Sequence, residues 1–336
     1  ARNDLYNGGL IVILIGSLMT PTIPRTTPPR LHVYLVADEV AFHFSADHYQ
    51  LLQQQLPGWE IIQLTSEAEL LQALPEVELL DTWRFDANWY SKAPALKHIF
   101  TPAAGHDWIQ QDPDGKVIIS QGTFHGSMIA ETMLGLMLHF NRRISAMLAL
   151  QQQHQWDRNR QQNSPLLSSQ TVVIIGYGSI GKFCARYLTQ LGTRVYAHQR
   201  SCSSGVDPDS GAEYISAESL NDCLAEADHV VLLLPGGEQT QGFMNRERLK
   251  SIKTGAYLYN FGRGTTLPTS NLLWALTHTG IRGAGVDVTE IEPLPTDSPL
   301  WDHPDVVVLP HSACIFKEYM SLHIQELRTL LDKVQA

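Results

Sequence analysis

Charge is scarce in this chain and mostly of one sign. Of 336 residues 17% are charged, with 34 acidic against 24 basic side chains and a net charge of −10 when the 14 histidines are neutral. Nucleic acid and anionic membranes both call for clustered Lys and Arg, so neither is expected as a partner. Cysteine is rarer still: Cys184, Cys202, Cys223 and Cys314 lie far apart, with no C-x-x-C, H-x-H or H-E-x-x-H companion. That pattern builds neither a zinc cage nor a disulfide framework, so no metal site is expected and a reducing, cytoplasmic compartment fits. Long apolar runs are missing as well. Residues 10–19 read LIVILIGSLM, too short to cross a bilayer. A secretion-signal core is the competing reading, but Asp4 stands where Lys or Arg belongs and no small-residue cleavage site is clear. Residues 1–30 therefore read as a disordered extension, with Pro21, Pro24, Pro28 and Pro29 as a stiff linker.

What is present is a globular composition, 43% hydrophobic with 24 Gly and 18 Pro, in a chain long enough for two cored domains. After the linker, residues 31–37 (LHVYLVA) read as a buried strand and 46–55 as a helix. Segments 59–64, 67–73, 96–100 and 116–120 continue the alternation, which argues for a parallel sheet with covering helices. Residues 127–153 form one long apolar-periodic segment, either a helix linking two domains or two helices broken near Asn141, and 151–162 read as an exposed Gln-rich arm. From Gln170 a second series of six short strands alternates with helices, the pattern of a doubly wound sheet.

The second series opens with VVIIGYGSIG, which puts Gly176, Gly178 and Gly181 in G-x-G-x-x-G spacing directly after a strand. KFCARYLTQL follows, with Phe183, Tyr187, Leu188 and Leu191 as the expected apolar stripe of a helix. Between a strand and an amphipathic helix this spacing is a phosphate-binding turn: the glycines allow close backbone approach, and the amides of Ser179, Ile180 and Gly181 at the helix start face the anion. An NAD site carries an acidic residue about 20 positions on, to bind the ribose 2′-hydroxyl. Here the next strand ends in His198, Gln199, Arg200 and Ser201, with no carboxylate before Asp207. Arg200 and Ser201 suit a 2′-phosphate, so NADP(H) is expected and NAD(H) is less favoured. The bland alternative lays Arg200 against the adenine ring.

Three more segments turn cofactor binding into a reaction. YNFGRG ends a strand, AGVDVTEIEPLP opens with one and LPHSA lies just past one, so Arg263, Asp287, Glu292 and His311 meet at the carboxyl edge of the sheet if it is doubly wound. Taken singly, each has a structural explanation. Together with APALKHIFTPAAGHDWI, AETMLGLMLHFNRRI, LLLPGGEQTQGFMN and SPLW, they make the chain resemble the D-isomer-specific 2-hydroxyacid dehydrogenases, and most closely the NADPH-dependent glyoxylate/hydroxypyruvate reductases, from residue 31 to the end.

The resemblance implies a dinucleotide-binding Rossmann domain with a dimerisation arm (127–311), inserted into a flavodoxin-like substrate domain (31–126 and 312–336), and a homodimer. It makes Arg263 the substrate-binding arginine, Glu292 its acidic partner and His311 the acid/base. Gly176, Gly178, Ser179, Ile180, Gly181, Arg200, Ser201, Pro235, Thr240, Asp287 and Ala313 would contact cofactor. The Ala104 and Gly105 amides would receive the substrate carboxylate; Arg84, by its place in the loop with Trp83 and Phe85, is a further candidate substrate contact.

The chemistry needs these residue types. Hydride delivery to the carbonyl carbon of a 2-oxo acid leaves an oxygen that must gain a proton, and histidine titrates near neutrality. A carboxylate beside it, Glu292, favours the imidazolium, while a guanidinium stabilises charge on the oxygen. Formate dehydrogenases of this fold pair their His with Gln, so Glu292 argues against that activity. Two departures stand out: Gly236 and Gly237 follow Pro235 where a bulkier residue is usual, and the chain ends after one helix. If Trp83, Phe85 and Trp301 lined the pocket, larger aromatic or branched 2-oxo acids would fit; a corepressor-like nucleotide-sensing protein is the remaining, non-enzymatic alternative.

Overall fold

Two parallel sheets, each covered by helices, carry the chain in the computed structural model, which describes residues 28–105, 107–201 and 204–335. Residues 1–27 of the expected extension lie outside that range, and within it Arg30 opens β1 and pairs with Glu60.

The first sheet is built from β1 (Arg30–Tyr34), β2 (Glu60–Gln63), β3 (Leu79–Thr82), β4 (His98–Thr101) and β5 (Ile118–Gln121). Helices α1 (Ala46–Gln55) and α2 (Glu67–Ala73) connect its strands. Its order is β2-β1-β3-β4-β5, that of a flavodoxin-like doubly wound sheet. Next come α3 (Gly126–Asn141) and α4 (Ile144–Gln152), separated at Arg142 and Arg143, where Arg143 takes φ 51. The break near Asn141 is thus real, and the alternative of one continuous helix is not.

The second sheet contains β6 (Thr171–Ile175), β7 (Arg194–His198), β8 (Glu213–Ile215), β9 (His229–Leu232), β10 (Tyr257–Asn260), β11 (Gly283–Val286) and β12 (Val306–Val308). Its helices are α5 (Ser179–Gln190), α6 (Leu220–Glu226), α7 (Arg246–Lys250) and α8 (Thr269–His278). The order β12-β11-β10-β9-β6-β7-β8 has seven strands rather than six, the extra one being the three-residue edge strand β8. Strands β9, β10 and β11 are buried at every position, as continuous apolar strands covered on both faces should be.

In α5 the buried face is Gly181, Cys184, Ala185 and Leu188. It is not the expected stripe of larger side chains. Small residues let α5 lie close to the sheet, while Phe183 turns aside to pack against Gly126 of α3. The last helix, α9 (Tyr319–Gln335), returns to the first sheet, where Tyr319, Met320, Ile324, Leu327 and Leu331 share a core with Leu31, Val33 and Leu52.

Candidate active site

All seven strands of the second sheet run parallel, so the segments after them emerge on one edge. That edge collects the Gly176–Gly178 turn, Arg200, the loop from Pro235 to Thr240, Arg263, Asp287 to Glu292, and His311 to Ala313.

The turn after β6 needs its glycines. Gly176 has φ +101, and a side chain there would press within 2.5 Å of the Leu233 carbonyl oxygen. Gly178 caps α5 with its side-chain direction open, so a phosphate can approach the first-turn amides of Ser179, Ile180 and Gly181, which have no intrahelical acceptors. The cradle fits a dinucleotide pyrophosphate. Arg200 is exposed beyond β7 and donates from Nη1 to Gln239 Oε1. Ser201 is exposed beside it. The next carboxylate, Asp207, is buried and accepts from Tyr177 and Ser210 hydroxyls, so it is committed to the core. In the loop after β9, Thr240 donates its hydroxyl to the Pro235 carbonyl at 2.6 Å.

Arg263 follows β10 on a turn pinned by Asn260, whose side chain accepts from the Gly262 amide and donates to the Arg263 carbonyl. Gly264 then packs directly on the next loop: a β-carbon there would lie 1.9 Å from the Thr289 carbonyl carbon. This close approach sets Arg263 beside Glu292, where its charge is felt. Glu292 accepts from the Thr289 amide at 3.0 Å through Oε1, and its Oε2 lies 2.8 Å from His311 Nδ1. Burial pushes the Glu292 carboxyl up, but these hydrogen bonds and the charges of His311 and Arg263 outweigh it and hold the group below its ordinary range.

His311 sits at φ 51, a left-handed conformation unusual for a residue with a side chain. Asp287 holds it there. The Asp287 carbonyl accepts the His311 amide at 2.8 Å, and its buried carboxylate accepts the Ser312 and Ala313 amides at 2.8 and 3.1 Å. Burial raises the Asp287 pKa against those two amides. With Nδ1 committed to Glu292, Nε2 of His311 is left without a hydrogen-bond partner among the described residues, free to exchange a proton with a ligand.

The loop after β4 brings Ala104 and Gly105 to the same place, with Gly105 against the Arg263 guanidinium. Arg84 does not join them. Its guanidinium is paired with Glu67 at the start of α2 and lies 5.6 Å over Trp89. Trp83 is half-buried and packs against Phe42 and Tyr319, and Phe85 is fully buried; Trp301 is half exposed and donates to the Pro295 carbonyl. Two residues escaped the sequence reading. Asn260 pins the arginine turn. Asp107, two positions past Gly105 in a segment already singled out, binds Arg263.

Residues 134–313 match the NAD binding domain of the D-isomer specific 2-hydroxyacid dehydrogenases. The chain belongs to that family. Among curated relatives, a D-3-phosphoglycerate dehydrogenase of Mycobacterium bovis is 32% identical over 249 residues, 72% of this chain and 46% of its own. The chain therefore spans about half the length of that relative. A glyoxylate/hydroxypyruvate reductase B of Yersinia pseudotuberculosis is 32% identical over 303 residues, 87% of each chain. Among solved structures, the NADPH-dependent glyoxylate/hydroxypyruvate reductase of Sinorhizobium meliloti in complex with NADP and sulfate superposes with TM-score 0.74 at 25% identity, covering 92% of this chain and 95% of its own. Family membership agrees with the expectation drawn from the motifs, and among the described residues no helix is long and apolar enough to cross a membrane.

Proposed function

We propose that the protein reduces a small 2-oxo acid of the glyoxylate or hydroxypyruvate kind to the D-2-hydroxy acid, with NADPH as cofactor. One observation carries the reading: His311 is held by Glu292 through Nδ1 at 2.8 Å, which leaves Nε2 without a partner among the described residues, while the charge of Arg263 acts on the same Glu292. Arg263 would bind the substrate's carboxylate and carbonyl oxygen, with the Ala104 and Gly105 amides as further donors. His311 would deliver the proton that the carbonyl oxygen needs, and Glu292 would hold the resulting charge pattern in place. Gly176, Gly178 and Gly181 would seat the cofactor, which supplies the hydride when bound. A relative of 87% mutual coverage named for glyoxylate and hydroxypyruvate supports the substrate class. Phe85 is fully buried and Trp83 packs against Phe42 and Tyr319, which favours a small substrate over a large aromatic one. A steady-state comparison of glyoxylate, hydroxypyruvate, pyruvate and phenylpyruvate with both cofactors tests the reading. Turnover should be best with the first two; silence on all four, with tight nucleotide binding, would favour the binding-protein alternative.

Arg200, Ser201 and the commitment of Asp207 to the core support NADPH over NADH. Losing a charged hydrogen bond to the 2′-phosphate costs about 1.5–3 kcal/mol, so Arg200→Ala should raise KM for NADPH about 10- to 100-fold and leave that for NADH nearly unchanged. Equal kcat/KM for the two cofactors in the wild type would sink the preference.

A homodimer completes the proposal. Leu148 on α4 and Trp156 just beyond it are 52% and 88% exposed, an apolar surface that a second copy would cover. Light scattering should return twice the chain mass, and the mass of one chain would refute the dimer.

A further inference from the structure

Arg263 has five N–H hydrogens, and three of them are already taken. Its Nε donates to Asp107 Oδ2 at 2.8 Å, Nη2 donates to the same oxygen at 2.6 Å, and Nη1 donates to the Gly262 carbonyl at 2.9 Å. One hydrogen is left on each Nη nitrogen. Those two neighbouring donors are what a planar pair of acceptor oxygens requires, whether both belong to a carboxylate or one belongs to the adjoining carbonyl. The partner that takes the other hydrogens comes from far away in sequence. Asp107 stands on the loop after β4 of the first sheet, and Arg263 follows β10 of the second.

Glycines on both sides make the meeting possible. A side chain at Gly105 would lie 1.8 Å from Arg263 Nη2, and one at Gly236 would lie 3.1 Å from Asp107 Oδ1 and 3.4 Å from the Arg263 side chain. Gly236, which stood out as unusually small after Pro235, thus has a reason. It leaves room for the pair. The carboxylate is 42% exposed and the arginine 27%, so the contact is at the mouth of the site and open to an entering anion.

We propose that Asp107 is a positioning residue for the reaction: by holding Nε and one Nη2 hydrogen of Arg263 from across the cleft, it points the two remaining hydrogens at the substrate. The proposal rests on the reductase reading above, in which Arg263 binds the 2-oxo acid. Asp107 touches no reacting atom and acts through Arg263. Its negative charge works against an anionic substrate, so what it contributes is orientation, and an amide oxygen should serve nearly as well as a carboxylate.

Three variants and one cycle test this. Asp107→Ala should lower kcat on glyoxylate or hydroxypyruvate about 10- to 100-fold, with NADPH affinity and melting temperature close to wild type. Asp107→Asn keeps an acceptor oxygen and should recover most of kcat, with KM equal or lower because the like charge is gone. In an Arg263→Lys background, Asp107→Ala should cost little more, since the group it orients is already lost. An Asp107→Ala enzyme with wild-type kcat, or one that loses the same factor in the Arg263→Lys background, would overturn the proposal. A rise in kcat/KM for Asp107→Ala would instead make Asp107 a competitor for the arginine. Crystal structures of the wild type and Asp107→Ala, each loaded with NADPH, give a readout independent of turnover. The Arg263 guanidinium should leave its position only in the variant, and an unmoved guanidinium would refute the proposal. If the wild type reduces no 2-oxo acid, the functional reading fails, and the guanidinium positions still decide the role of Asp107.

Discussion

His311→Ala should lower kcat about 10³-fold, the centre of the range for a side chain that supplies a proton in the transition state, while NADPH binding stays within about twofold of wild type. By transition-state arithmetic that loss is about 4 kcal/mol. The split between turnover and cofactor affinity follows from the geometry. His311 hangs at the sheet edge on a turn fixed by Asp287, and the phosphate-binding turn lies at the end of another strand. A fluorescence titration with NADPH beside the turnover assay checks both halves. A variant with near-normal kcat would remove the histidine from its role. The Glu292 partner adds a pH signature. Its folded pKa is depressed, so the carboxylate form persists as pH falls and the pair is lost only below the ordinary glutamate value of about 4.3. Glu292→Gln should reduce kcat and shift the pH profile, because an amide keeps the hydrogen bond without the charge.

Arg263→Lys should lower kcat/KM about 10²- to 10³-fold, the cost of removing a placed donor from developing negative charge. Charge is retained, so a merely electrostatic role would survive the change. The structure argues otherwise: Asp107 and Gly262 take three of the five hydrogens and leave two for a ligand, whereas an ammonium on a flexible stem has only three, with no fixed plane. Near-wild-type kinetics for the lysine variant would mean that the fork is unnecessary. Activity of Arg263→Ala restored by added guanidinium, absent in Arg263→Lys, would support the fork directly.

How much of this was legible in the sequence depends on how far apart the partners lie. The turn after β6 is local: strand, glycines and helix are contiguous, and their spacing alone states the phosphate site. A parallel first sheet and a doubly wound second one were legible for the same reason, as apolar runs alternating with helices, while the flavodoxin-like character of the first came from the family resemblance. Strand β3 was not. Its LLDT is short and carries Asp81, which looks like a surface residue until His323, 242 positions on, supplies a hydrogen bond at 2.8 Å inside the core. Arg84 misled in the opposite sense. An arginine between two aromatic residues in a loop looked like a substrate contact, and Glu67 on the neighbouring helix pairs with it instead. Asp107 shows the same limit: the residue was in view, but only the meeting of two sheets reveals its partner. Local patterns read well; pairings made by the fold do not.

The reaction itself is the central claim, and the configuration of its product tests it most directly. Hydroxypyruvate and NADPH are incubated with the wild type and with His311→Ala, and the glycerate formed is resolved by chiral chromatography. The geometry proposed here gives D-glycerate alone, one for each NADPH consumed, and almost none from the variant. L-glycerate, a racemic product, or equal yield from the two proteins would contradict it.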